Sequence, residues 1–219
     1  SRYARWLDGV RRRETWEETV TRYWDWITDK FPILLDKAPY IKDMILKHEI
    51  MPSMRALMTA GEAADRDNTC IYNCSYLEID TPRAFSELMY ILMNGTGVGY
   101  SVESKVVSKL PKVPSDIMRV KGVKVTVEDS KEGWANACLE LLENLWLKGV
   151  HPTWDLTQIR SAGSRLHTSG GRASGPEPLE AVFKYVVKVF ENAQGRKLTS
   201  LECHDICCVI AKSIIVGGV

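Results

Sequence analysis

Nothing in this chain is built to cross a membrane: no apolar run approaches the roughly 20 residues that a bilayer span needs. The opening SRYARWLDGVRRRE lacks the apolar centre of a signal peptide. Charge of one sign is missing too. The chain has 29 basic and 28 acidic residues, so its net charge is +1. That leaves no basic field for gripping a phosphate backbone, and no direct nucleic-acid partner is expected. Internal repeats and low-complexity linkers are also absent. These absences point to a globular protein of the cytoplasm. Apolar residues make up 45% and charged residues 26% of the 219, enough to bury a sizeable core. The length suits one large domain or two small ones.

Cysteine is sparse, with six residues: Cys70, Cys74, Cys138, Cys203, Cys207 and Cys208. Their number and scatter do not suit a disulfide framework of a secreted chain. Two C-x3-C spacings, with His204 close by, leave a zinc alternative open. Against it, Cys203 and Cys207 fall within a helical pattern rather than a tight turn, and no metal site is expected. Cys138, Cys207 and Cys208 read as packing residues.

What is there is organised around residues 68–103, NTCIYNCSYLEIDTPRAFSELMYILMNGTGVGYSVE. The run from Cys74 to Ile79 alternates and predicts a strand. Asp80-Thr81-Pro82 predicts a helix start, by a capping side chain followed by proline. Phe85, Leu88, Met89, Leu92 and Met93 recur at helical spacing and predict one buried face. Gly95, Gly97 and Gly99 then allow positive φ and close backbone approach. A parallel βαβ crossover is the economical arrangement, with a thiol on its first strand. Such a thiol beside a glycine turn suits sulfur chemistry on a bound small molecule. A buried core cysteine and a plain helix C-cap account for the same residues.

The remaining segments are more ordinary. Residues 1–50 read as helical, with Trp16, Val20, Tyr23, Trp24 and Ile27 on one face of a helix over 14–28 that Phe31-Pro32 ends. Trp6, Trp16, Trp24 and Trp26 predict a well-buried aromatic layer. A second, shorter helix is expected over 41–48. Residues 51–67 read as a loop-like bridge, in which Ser53 taken alone is a capping or turn hydroxyl. Residues 101–122 are polar, basic and proline-punctuated, as a surface loop would be. A strand is expected over 123–127, then a helix capped at Asp129-Ser130 and closed by Gly149. A strand over 154–160 and a glycine-serine-arginine loop over 161–174 follow. Helices over 179–193 and 202–210 and an apolar strand over 214–219 complete the chain.

NCSYLEID followed by GTGVGYSVE resembles the first barrel strand and turn of ribonucleotide reductase large chains, nearest to the class II, adenosylcobalamin-dependent enzymes. VEDSKEGWANACLELL, SGGRASGPEPLEAV and HDICCVIAKSIIVGG agree with that family, in family order, and RRETWEETVTR resembles the start of its ribonucleoside-triphosphate type. The resemblance implies an α/β fold: a helical N-terminal region, residues 1–50, then the first half of a ten-stranded α/β barrel, residues 51–219. It implies Cys74 as one member of a reducing thiol pair, with Ser53, Asn73 and Gly97 lining a ribonucleotide pocket. Asp80 and the segment Ala162, Gly163, Ser164 and Arg165 match positions that bind or report a dNTP effector. The implied cofactor is adenosylcobalamin and the implied reductant is of thioredoxin type. The family's Asn-Pro-Cys-Gly-Glu segment, which carries the radical cysteine, is missing from these 219 residues, as are a second reducing cysteine and a C-terminal thiol shuttle. The expectation is an N-terminal portion completed by a complementary C-terminal reductase polypeptide. A nucleotide-binding or regulatory piece without turnover of its own is the alternative.

Overall fold

The computed structural model describes residues 3–166 and 172–214. The chain divides into two compact units between Asn73 and Cys74. Residues 51–73 fall in the first of these units.

The first unit opens with a short antiparallel hairpin that the sequence reading did not anticipate, β1 (Trp6–Leu7) and β2 (Arg12–Arg13). Helix α1 (Trp16–Lys30) starts in a capping box: the Thr15 hydroxyl accepts the Glu18 amide while the Glu18 carboxylate accepts the Thr15 amide. Beyond Phe31-Pro32 lie α2 (Ile33–Lys37) and α3 (Ile41–Leu46). The aromatic layer is thinner than expected. Of its four tryptophans only Trp24 is buried, and Trp6 is 46% exposed. Trp16 stacks on His48 at 4.8 Å and donates to the Leu46 carbonyl, while Trp26 donates to Asp65. Their polar edges hold them at the surface of the unit.

The bridge expected over 51–67 is instead two short helices, α4 (Met54–Thr59) and α5 (Glu62–Arg66), followed by a 3-10 turn over Asn68–Ile71. Helices this short are not stable alone. The C-terminal carbonyls of α4 are satisfied from far along the chain. Arg5 donates to Thr59 O and Ala60 O at 3.1 and 2.8 Å; Arg22 donates to Ala60 O and Leu57 O at 2.9 and 3.1 Å. Glu14 holds both arginines in place, through Arg22 Nε at 2.8 Å and the Arg5 amide at 3.1 Å. No local pattern could have announced helices whose partners lie 35 or more residues away.

The second unit begins with the expected crossover. β3 (Cys74–Glu78), α6 (Pro82–Met93) and β4 (Gly97–Ser101) form a parallel βαβ unit in register from Cys74 with Gly97 to Glu78 with Ser101. Pro82 opens α6 as expected, but Thr81 makes no side-chain cap, so only the proline half of the start signal is used. After α7 (Ser104–Val107), β5 (Met118–Thr126), α8 (Lys131–Leu147) and β6 (Val150–Asp155) form a second parallel βαβ unit. Ser130 caps α8, its hydroxyl accepting the Gly133 amide at 2.9 Å. Helices α9 (Glu177–Asn192) and α10 (Ser200–Ser213) follow, the latter opened by a Thr199–Glu202 capping box.

Phe85, Leu88 and Met89 of α6, Leu141, Leu142 and Leu145 of α8, Phe183 and Phe190 of α9, and Ile206 of α10 share one core. The Ser86 hydroxyl donates to Ala135 O at 2.7 Å inside it, pinning α6 to α8. Mixed α/β character thus agrees with the sequence reading. The four parallel strands described lie in two separate pairs rather than one continuous sheet.

Three expectations in this unit need correction. The surface loop over 101–122 contains α7, and Val106, Val107, Leu110 and Val113 are buried. Strand β5 begins at Met118, five residues before the expected start, because its solvent-facing Arg119 and Lys121 hide it from a hydrophobicity pattern. The strand expected over 154–160 runs over 150–155 and turns at Thr157, whose amide and hydroxyl both bond Asp155. The last strand expected, over 214–219, falls outside the described residues beyond Ile214.

Glu14 yields a prediction about the first unit. Burial alone would raise its pKa, but hydrogen bonds from Arg22, the Arg5 amide and Thr19 outweigh it and hold the carboxyl below its ordinary value. A depressed carboxylate stabilises fully above its unfolded value, near 4.3, and loses that contribution as pH falls through the folded value. Glu14→Gln is expected to cost roughly 1–3 kcal/mol at pH 7. Urea unfolding at pH 7 and at pH 3 checks it, because the gap to the parent chain should narrow in acid; an equal gap at both would rule out the ionised network.

Candidate functional site

Strand alternation sets the site. Cys74, Tyr76 and Glu78 project from one face of β3 and are exposed, while Ser75 and Leu77 turn to the other. The parallel register places Gly97 beside Cys74, Gly99 beside Tyr76 and Ser101 beside Glu78. Laterally paired residues share a face, so the thiol looks across two positions with no side chain. A Cβ on Gly99 would lie 3.9 Å from Tyr76 Cδ2, which places the phenol against that glycine. The result is a strip of bare backbone flanked by a thiol and a phenol. The Ser75 hydroxyl donates to Gly97 O at 3.2 Å and ties the two strand starts together. Gly95, with φ of 78°, turns the chain out of α6 into this position, which no side-chain-bearing residue does cheaply.

Of the other positions singled out from sequence, Asp80 lies past the opposite end of β3. There Lys109 bridges it and Glu78 at 3.3 and 3.2 Å. Ala162, Gly163, Ser164 and Arg165 form one limb of a loop whose base is closed. The Gly163 amide donates to Ala173 O at 2.9 Å, the Ala173 amide to Ser164 O at 2.8 Å, and Arg165 bridges Arg172. The Gly163 amide is therefore spent on the loop itself, although the space where its Cβ would sit is open. Residues 167–171 fall outside the described residues. Ser53 caps α4 in the first unit, accepting the Ala56 amide at 3.4 Å. Asn73, exposed, is the last residue of that unit. Cys74 and Gly97 are thus the pair brought side by side.

The cysteines divide sharply. Cys70, Cys138, Cys203 and Cys207 are buried; Cys74 and Cys208 are exposed. Burial pushes the Cys138 and Cys203 thiols up to about 12 and raises Cys207 as well, so all three stay protonated and unreactive. Cys208, expected as a packing residue, lies instead on the outer side of α10, its sulfur 3.4 Å from His204 Nε2 and 3.6 Å from the Tyr100 hydroxyl. The Tyr100 hydroxyl also meets His204 Nδ1 at 3.0 Å. Burial, then the Cys208 contact, keeps that phenol protonated. Cys203 and Cys207 face the core while His204 faces out, so the residues behind the zinc alternative do not converge. Among the described residues no three His, Cys, Asp or Glu side chains cluster for a metal. Sequence reasoning missed two groups. Tyr76 was signalled by its i, i+2 relation to Cys74, and His204 with Cys208 by their i, i+4 spacing on a helix.

Alkylation of the native chain with iodoacetamide, read by peptide mass mapping, should modify Cys74 and Cys208 first. Cys70, Cys138, Cys203 and Cys207 should react only after denaturation. Protection of Cys74 would contradict the face assignment of β3, and early modification of Cys138 the burial of the inner face of α8.

Comparison with known proteins follows the same lines. No family model matches the chain. Along 99% of its length it is 26% identical to an adenosylcobalamin-dependent ribonucleoside-triphosphate reductase of Lactobacillus helveticus, and 29% identical to those of Lactobacillus delbrueckii subsp. bulgaricus and Lactobacillus leichmannii. The chain spans 38–39% of the length of these relatives. The alignment with the first runs over 289 positions against a chain of 219 residues, so that relative carries insertions the chain lacks. A solved structure of a B-12-dependent (class II) ribonucleotide reductase superimposes with a TM-score of 0.83 at 27% identity, covering 99% of this chain and 40% of that one. No described helix is long and apolar enough to cross a membrane. In sequence and in fold alike, the chain resembles class II ribonucleotide reductases over a portion of their length.

Proposed function

We propose that this chain forms part of a ribonucleotide reductase and contributes one of the two thiols that reduce the ribose. The observation that carries this reading is the Cys74 side chain, exposed at the start of a parallel strand beside the bare backbone of Gly97 and Gly99. Replacing a 2′-hydroxyl by hydrogen consumes two electrons and two protons and releases water. Two thiols supply them by closing to a disulfide, which an external dithiol of thioredoxin type then reopens. Cys74 is one of these thiols; its partner and the cysteine that abstracts the 3′-hydrogen lie on the complementary portion of the enzyme.

Main-chain groups at Gly97 orient the ribonucleotide, and the triphosphate form fits the relatives' names. Backbone contact without side chains lets a sugar approach the sulfur closely. Tyr76 borders the thiol on the same face of β3. Asp80 and the segment Ala162, Gly163, Ser164 and Arg165 serve a dNTP effector. Arg165 offers a planar, permanently charged donor for a base edge, and Asp80 a carboxylate for a sugar hydroxyl.

Adenosylcobalamin supplies a radical by homolysis of its cobalt–carbon bond. Among the described residues, the depression that Tyr76 lines together with Tyr100, Ser101, Val102, Glu103, Ser104 and Ser200 measures about 710 Å³, is open to solvent and does not enclose such a group. No residue of this chain is therefore assigned to the cofactor.

Reconstitution tests the reading. The chain is combined with the polypeptide completing the reductase, adenosylcobalamin, a dithiol and a ribonucleoside triphosphate, and deoxynucleotide is measured. Cys74→Ser should lower turnover by about a hundredfold or more, some 2.7 kcal/mol in barrier, while Cys70→Ser leaves it within about twofold. Turnover that survives Cys74→Ser would overturn the assignment. Nucleotide binding without product in every mixture would favour a regulatory piece.

A further inference from the structure

The second βαβ unit carries a cavity that the reading above does not use. Its volume is about 480 Å³, within the range of small-ligand sites. Strands β5 and β6 supply Arg119, His151 and Trp154; helix α9 supplies Lys184, Lys188 and Glu191. Arg119 is the register partner of His151, so two cationic or titratable groups meet across the strand pair. Lys184 and Lys188 are one turn apart on α9, an arrangement of like charges that costs a helix stability unless something offsets it. Glu180 offsets one of them, at 2.9 Å from Lys184. Arg119 and Lys188 form no ion pair among the described residues. Glu191 is the one carboxylate lining the cavity, so the lining is net positive.

Strand β6 adds an aromatic pair to the lining. The His151 and Trp154 rings lie within 18° of parallel at 6.1 Å, and Trp154 is braced edge-on by Phe183 at 5.7 Å. His151 Nδ1 lies 2.9 Å from Pro152 O. A carbonyl only accepts, so Nδ1 carries the proton and Nε2 is left for another partner. Cationic donors and a braced aromatic pair lining one cavity suit a ligand with a phosphate at one end and a planar ring at the other.

We propose that this cavity is a nucleotide-binding site separate from the Cys74 face. Arg119 and Lys188 hold the phosphates, Lys184 adds charge beside them, and the base lies along His151 and Trp154. None of the positions assigned to substrate or effector above lines it. Its occupant is a third nucleotide, and the proposal does not depend on turnover at Cys74.

The test uses the whole chain with ATP, tripolyphosphate and adenosine as probes, by calorimetry in low salt and at about 0.15 M salt. Photolabelling with 8-azido-ATP and peptide mapping supply the location. ATP should bind more tightly than either half-ligand and more weakly in salt, because the phosphates meet exposed cations. Arg119→Glu and Lys188→Glu change exposed side chains, so folding is preserved and checked by circular dichroism. Each should weaken ATP at this cavity by about tenfold or more, whereas Lys212→Glu, an exposed lysine outside the lining, should not. The label should fall on the peptide containing residues 150–155. Absence of ATP binding, binding indifferent to both charge reversals, or no label on that peptide would overturn the proposal. Tripolyphosphate binding as tightly as ATP would also overturn it, by reducing the site to an anion patch.

Discussion

The structure of the second unit depends on one constraint: a parallel strand pair needs a crossover that returns the chain to the same end of the sheet. Helix α6 provides it, and burial of Phe85, Leu88 and Met89 against α8 holds it down. At about 25 cal/mol per Å² of apolar surface, side chains of this size dominate the local energetics. Everything at the thiol follows. A slip of one residue in β3 would turn Cys74 into the core and Ser75 outward, so the packing of the helix decides which way the sulfur faces.

The first unit is held differently. Its short helices rest on two arginines that reach back across the sequence to carbonyl groups, with Glu14 neutralising and orienting them. The two units thus illustrate two answers to the same requirement that helix ends be satisfied. At Ser130 and Thr199, as at Thr15 in the first unit, the partner is a local capping side chain; at the end of α4 it is a pair of arginines from far along the chain, held by a part-buried ion pair with Glu14.

That contrast explains what was legible in the sequence. Helices α1, α6, α8, α9 and α10 carry their apolar stripes at regular spacing and were readable to within a few residues of their ends. The β3–α6–β4 crossover was readable because proline and glycine mark both of its turns. Helices α4 and α5 were not, since their stabilising groups lie in other segments. Strand β5 was hidden by charged residues on an outward face, and β6 by a proline at its centre. At the site, the thiol and the glycines were visible as residues, but their adjacency depended on register. Cys208 was misjudged because C-C pairs within a helix point about 100° apart, so one can be core and the next surface.

The bare strip at Gly97 and Gly99 has a consequence for how such a surface changes over time. A ligand seated there would meet peptide groups, which every amino acid shares. Preference among ligands cannot then be retuned by exchanging residues at those two places; it must come from neighbouring walls such as Tyr76. Any side chain introduced at either glycine would occlude the floor itself, so drift at these positions leads to loss of the surface and not to a new specificity.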